Sequence, residues 1–124
     1  MSLAIRTPTI LIVGDGCKRL LETLSQCDLG HLSMVAAVPG TASELFKVAN
    51  VVLVIFECAK AADVAVGRAM KQWNPQVPVI VIANDWSALE EMEFGDVLLS
   101  RSAEPEVLVR HVKAQIEISC RLAA

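Results

Sequence analysis

The stretch "VVLVIFECAK", residues 51–60, places six consecutive apolar side chains directly before the acidic Glu57. Apolar residues in an unbroken run, rather than in alternation, are typical of a strand buried on both faces of a parallel sheet. Glu57 follows this predicted strand, and ligands of open parallel sheets bind beyond the carboxyl ends of the strands. The sequence therefore raises the question whether Glu57 is a functional residue or only the point where a buried strand meets water.

Other apolar blocks of the same kind lie on both sides of this one, and turn residues separate them. Strands are predicted at residues 10–13, 32–38, 51–56, 79–83 and 97–99. Helical spacing of apolar residues predicts helices at 17–27, 41–49, 60–73 and 87–94, and from 102 to the end of the chain. This alternation predicts an α/β fold of the (βα)5 type, with a doubly wound, five-stranded parallel sheet and helices on both faces.

The composition favours one globular domain, which we place at residues 4–124; residues 1–3 are interpreted as a remnant of protein expression. No apolar run approaches the roughly 20 residues of a membrane span, and the N-terminus has no signal-peptide pattern, so we expect a cytoplasmic protein without membrane contact. The net charge is −3 and the basic residues are scattered, which argues against direct nucleic-acid binding. The four cysteines have no paired spacing and are interpreted as free thiols.

Five features in this order resemble a response-regulator receiver domain, the chemotaxis-type, flavodoxin-like phosphoacceptor module of two-component signalling. They are "ILIVGD" at 10–15, the apolar third strand, "VPVIVIAN" at 77–84, "VLLSRS" at 97–102 and "AEPEVLVRHV" at 103–112. The resemblance covers nearly the whole chain and implies the strand order 2-1-3-4-5. It also implies a site in which acidic residues hold Mg²⁺, an aspartate accepts a phosphoryl group, and a hydroxyl and a lysine contact that group.

Carried over residue by residue, this site is degenerate. The acidic pair becomes Gly14 and Asp15, the acceptor position falls at Ile55 or Glu57, the hydroxyl position at Ala83 and the lysine position at Arg101. Gly14 lacks a carboxylate for the metal and Ala83 lacks a hydroxyl. The resemblance therefore implies a pseudo-receiver, without enzyme activity, in which these six residues form a vestigial phosphorylation pocket.

Several alternatives remain open at this point. Glu57 opposite Arg101 would supply a standing negative charge that imitates phosphorylation. Asp15 is either a residual Mg²⁺ ligand or the N-cap of the following helix. Apart from this possible Mg²⁺, we expect the domain to need no cofactor. A different acid, for example Asp63, would accept phosphate in a second interpretation. In a third, "GDG" at residues 14–16 would make the chain a small Rossmann-like nucleotide-binding domain.

Partners are expected to be proteins. The last helix continues to the end of the sequence without a stop signal, which suggests a larger signalling protein with an output domain. An output domain or a sensor kinase of the same pathway is the expected partner, and a second copy of the chain is an alternative. The predicted interaction face consists of Trp86, Leu99, Val109 and Val112.

Overall fold

The computed structural model describes residues 8–14, 17–26, 33–37, 41, 44, 50–58, 61–83, 95–100 and 104–123. Its strands are β1 (Thr9–Val13), β2 (Ser33–Ala37), β3 (Val51–Cys58), β4 (Val79–Ala83) and β5 (Val97–Ser100). Its helices are α1 (Cys17–Ser25), α2 (Ala61–Trp73) and α3 (Pro105–Ala123). The predicted helices at 41–49 and 87–94 fall almost wholly outside the described residues.

The five strands form one parallel sheet in the order β2-β1-β3-β4-β5, which confirms the predicted fold class and strand order. In a parallel sheet all strands end on the same side. We call that side, where Gly14, Glu57 and Ala83 lie, the carboxyl edge. The opposite side, where the strands begin, is the amino edge.

The core lies on both faces of the sheet, because successive side chains of a strand point to opposite faces. Phe56 of β3 belongs to the apolar cluster that contains Val64 and Met70 of α2. Its neighbour Ile55 belongs to a second cluster, with Leu20 and Leu24 of α1 and Leu108 and Val112 of α3. Helix α2 therefore covers one face, which we call the α2 face, and helices α1 and α3 cover the other, the α1–α3 face.

The end of β3 differs from the prediction, which placed it at Phe56. The strand continues through Glu57 and Cys58, because these residues remain paired with Ile82 and Ala83 of β4. Glu57 is only 3% exposed. The interpretation of Glu57 as the point where the strand meets water is therefore wrong.

At the amino edge, Lys71 and Asp96 connect three elements. Asp96 Oδ2 accepts hydrogen bonds from Lys71 Nζ and from the Val79 amide, each at 2.7 Å. Lys71 Nζ also donates to the Val77 carbonyl at 3.0 Å, and the Asp96 amide donates to the Val79 carbonyl at 2.8 Å. This network, the Lys71–Asp96 pair, joins the end of α2 to the starts of β4 and β5.

In the described part of the chain, no helix has the length and apolar character needed to cross a membrane.

Candidate functional site

The strand registers bring three of the predicted site positions to the carboxyl edge. Val13 of β1 is level with Phe56 of β3, so Gly14, the next residue, lies beside Glu57. Glu57 is in turn level with Ile82, and Cys58 with Ala83. The Gly14 amide donates to the Ala37 carbonyl of β2 at 3.1 Å. Gly14 and the ends of β3 and β4 thus form one continuous edge.

Gly14 has a backbone conformation that only glycine adopts readily, with φ at 137°. A Cβ atom at this position would lie 2.6 Å from Glu57 Cβ and 3.0 Å from the Glu57 carbonyl oxygen. Real Cβ atoms essentially never approach a neighbour to 2.6 Å, so any side chain at position 14 would displace the end of β3. The position at which the receiver resemblance implies a metal-binding carboxylate is therefore one where this backbone requires glycine.

Glu57 lies on the α1–α3 face, since it is two residues from Ile55 on the same strand. Its side chain lines a pocket of about 320 Å³ between these helices and the sheet. The other described residues that line this pocket, which we call the α1–α3 pocket, are Arg19, Leu20, Thr23, Ile82, Pro105 and Leu108. The carboxyl group of Glu57 thus lies between sheet and helices rather than in open solvent beyond the strand.

The two candidates for the acceptor position have different surroundings. Ile55 is completely buried among apolar side chains of the α1–α3 face. Glu57 lines a pocket. Of these two residues, Glu57 is therefore the one that borders a cavity.

Ala83 lies at the same edge but on the other face. It packs in the α2-face cluster with Cys58, its register partner. The side chains of Glu57 and Ala83 therefore lie on opposite faces of the sheet and do not form a common pocket. Sequence reasoning missed this separation, because it depends on the register between β3 and β4.

Cys58 is a buried cysteine without a disulfide. Burial, and then the nearby negative charge of Asp63, raise the pKa of its thiol to about 11. Such a thiol stays protonated near neutral pH and is a poor nucleophile. Asp63 is in the first turn of α2 and is only 3% exposed. This acid is therefore inaccessible to a phosphodonor in the structure.

The predicted interaction face needs a correction. Val112 is completely buried and Leu99 nearly so, because both pack in the core of the α1–α3 face. Neither side chain forms an exposed surface for a partner. Val109 is half-buried and borders that core. Trp86, Asp15 and Arg101 lie outside the described residues, and their predicted roles stay predictions.

The described residues of the carboxyl edge do not fit a magnesium ion. Mg²⁺ in proteins is held by carboxylate oxygens together with water molecules. Gly14 supplies no side-chain ligand, and no three His, Cys, Asp or Glu side chains come together within the described ranges to hold a metal.

Arg19 and Thr23 are two residues of the pocket that sequence reasoning missed. They are one helical turn apart on α1, and Thr23 Oγ1 donates to the Arg19 carbonyl at 3.0 Å. Their spacing puts them on one side of the helix, but only the packing of α1 against the sheet shows that this side faces Glu57.

No protein-family model matches the chain, and no curated protein sequence matches it significantly. Solved structures do match. A CheY-like response regulator receiver domain from Methanospirillum hungatei JF-1 is 17% identical, with a TM-score of 0.76 over 93% of this chain and 98% of that one. The signal receiver domain of a putative Luxo repressor protein from Vibrio parahaemolyticus is 12% identical, with a TM-score of 0.76 over 94% and 95%.

A LuxR family DNA-binding response regulator from Silicibacter pomeroyi is 22% identical to the chain. Its TM-score is 0.69, over 89% of this chain and 92% of that one. The chain therefore has the fold of response regulator receiver domains, as the sequence resemblance implied.

Proposed function

We infer that the chain is a receiver-like domain of two-component signal transduction that works through protein contacts and does not accept a phosphoryl group in the usual way. The receiver fold supports the first part of this proposal. The single observation that carries the second part is the contact of Gly14 with Glu57, because it excludes a carboxylate from position 14.

Phosphoryl transfer to a receiver needs a metal ion to neutralise charge and an accessible carboxylate as nucleophile. At this edge Gly14 has no carboxylate for a metal site, and Glu57 lines a pocket between sheet and helices. Ala83 has no hydroxyl, and the residue level with it on β3, Cys58, carries a thiol instead. These substitutions remove one of the two metal-directed carboxylates, the aspartate and the hydroxyl together.

A domain of this kind is a regulatory module rather than an enzyme. Its output is the recognition of an output domain or a sensor kinase of the same signalling pathway. One structural neighbour is a DNA-binding response regulator, which supports an output-domain partner. The standing charge of Glu57 would keep the domain in one state, with Arg101 as its proposed counterion.

Phosphorylation at Asp63 is the alternative that this proposal rejects. Asp63 is buried on the α2 face and lies close enough to Cys58 to raise the pKa of its thiol. A phosphodonor would reach it only after α2 moved away from the sheet. That movement would also open the apolar contacts of Val64 and Met70.

The test is incubation with acetyl phosphate and Mg²⁺, followed by intact-mass measurement, with a phosphorylatable receiver domain as positive control. We expect the mass of the chain to stay unchanged while the control gains a phosphoryl group. A magnesium-dependent adduct on the chain would contradict the proposal. If Asp63→Asn abolished that adduct, the rejected alternative would be correct.

A further inference from the structure

Helices α1 and α3 border an open groove on the surface of the domain, next to the α1–α3 pocket. Its volume is about 510 Å³. We call it the outer groove and define it by six of its lining residues: Gln26, Pro105, Glu106, Val109, Arg110 and Lys113. Val109 is half-buried and the other five are exposed. Because small-molecule sites bury roughly 70–90% of their ligand, so open a groove is better suited to a segment of a protein.

The charge of the outer groove is positive. Arg110 and Lys113 contribute two exposed positive charges, against the one negative charge of Glu106. Arg19, which is exposed and lines the adjacent pocket, adds a third positive charge. Glu57 of that pocket is almost fully buried and already has an interaction within the protein. The whole chain has a net charge of −3, so this surface differs in sign from the chain and favours an acidic partner.

The chain itself contains an acidic segment of matching character, "DWSALEEMEF" at residues 85–94, which lies outside the described residues. It has four acidic residues and no basic one, which is more negative charge than the whole chain carries in net terms. It also has two of the five aromatic residues of the chain, Trp86 and Phe94. Aromatic side chains and Met are enriched in protein interfaces, and Pro105 and Val109 offer them apolar surface. In charge and residue type, the segment is therefore complementary to the outer groove.

We propose that the outer groove of one chain binds the acidic segment 85–94 of a second copy, with Arg110 and Lys113 opposite its carboxylates. Such a contact is heterologous, because the two chains contribute different surfaces, and it joins copies head to tail. Two residues of the predicted interaction face then lie on opposite sides of the contact, Val109 in the groove and Trp86 in the segment. One groove and one segment bury less area than a standard interface, so the association is weak and depends on concentration. It does not rest on the proposed signalling function, because it requires neither phosphorylation nor a sensor kinase.

The test uses two variants that each lose one side of the contact. The groove variant carries Arg110→Glu and Lys113→Glu, and the segment variant carries Glu90→Lys and Glu91→Lys. Sedimentation velocity over a wide range of protein concentration should show self-association of the unchanged chain, weakened by about tenfold or more in each variant. An equimolar mixture of the two variants should form a one-to-one complex, because the first keeps an intact segment and the second an intact groove. Only a head-to-tail contact predicts this recovery in the mixture.

Lys18→Glu is a matched control for Arg110→Glu, because it makes the same change in net charge at an exposed position that lines neither cavity. It should leave self-association unchanged. Three results would overturn the proposal: a chain that is monomeric at every concentration, an equal effect of Lys18→Glu and Arg110→Glu, or no complex in the mixture. Should a variant fail to fold, a synthetic peptide of residues 85–94 provides an independent test. The peptide should dissociate the self-associated chain, whereas the same peptide with Gln at its three Glu positions should not; equal effects of the two peptides would also contradict the proposal.

Discussion

The amino edge and the carboxyl edge of the sheet use polar residues in different ways. At the amino edge, Asp96 accepts direct hydrogen bonds from the Lys71 side chain and from the Val79 amide. At the carboxyl edge, Gly14 lies against Glu57, whose carboxyl group lines a pocket. The first arrangement explains how two strands and a helix are held together. The second borders a pocket of about 320 Å³ and excludes a side chain at position 14.

The largest effect is expected from a side chain at the carboxyl edge. Gly14→Ala would force an unfavourable φ and place a Cβ atom 2.6 Å from Glu57 Cβ, so we expect a loss of about 3 kcal/mol or more in the free energy of unfolding. Urea denaturation measures this loss. Gly14→Asp should be no better tolerated, because the conflict begins at Cβ.

A double-mutant cycle separates the two causes of this loss. Glu57→Gly removes the atom that the new Cβ meets at 2.6 Å, but leaves the carbonyl oxygen at 3.0 Å and the unfavourable φ. Gly14→Ala should therefore cost less in the Glu57→Gly background, without becoming neutral. Equal costs in both backgrounds would mean that the contact with Glu57 is not what excludes a side chain.

A smaller effect is expected at the amino edge. Asp96→Ala would leave the Val79 amide without its acceptor and Lys71 without its ion pair, and should lower the free energy of unfolding by about 1–3 kcal/mol. Asp96→Asn keeps an oxygen acceptor for the Val79 amide and should cost less. If Asn were as damaging as Ala, the ion pair rather than the hydrogen bond to β4 would be the main contribution.

The last effect is confined to alkaline pH and concerns Cys58 at the carboxyl edge. The pKa of the Cys58 thiol rises from 9.0, the ordinary value, to about 11 in the folded protein. A raised pKa contributes stability that is complete below the unfolded-state value and is lost as the pH rises through the folded-state value. Stability should thus fall between about pH 9 and pH 11, and Cys58→Ala should reduce that fall. Urea denaturation of both proteins across this range measures the difference; parallel curves would exclude Cys58 as the cause.

The sequence predicts the sheet well because continuous apolar runs report burial on both faces, whatever the details of packing. The sequence places the end of β3 too early for two reasons. An acidic residue usually indicates that a strand has reached solvent, and the pairing of Glu57 with Ile82 is a long-range contact that local sequence does not show. The residue types at positions 14 and 83 are visible in the sequence, but their geometry is not. That Gly14 touches Glu57, and that Ala83 lies on the other face, both follow from the register between strands.

We propose that the carboxyl edge is not a magnesium-dependent phosphorylation site. Magnesium binding tests it most directly, because the metal must bind before any phosphodonor can react. In a titration of the ¹⁵N-labelled chain with MgCl₂ at constant ionic strength, we predict no saturable shift of the Gly14, Glu57 and Ala83 amide signals. Saturation of these signals at millimolar Mg²⁺, with the rest of the spectrum unchanged, would contradict the claim.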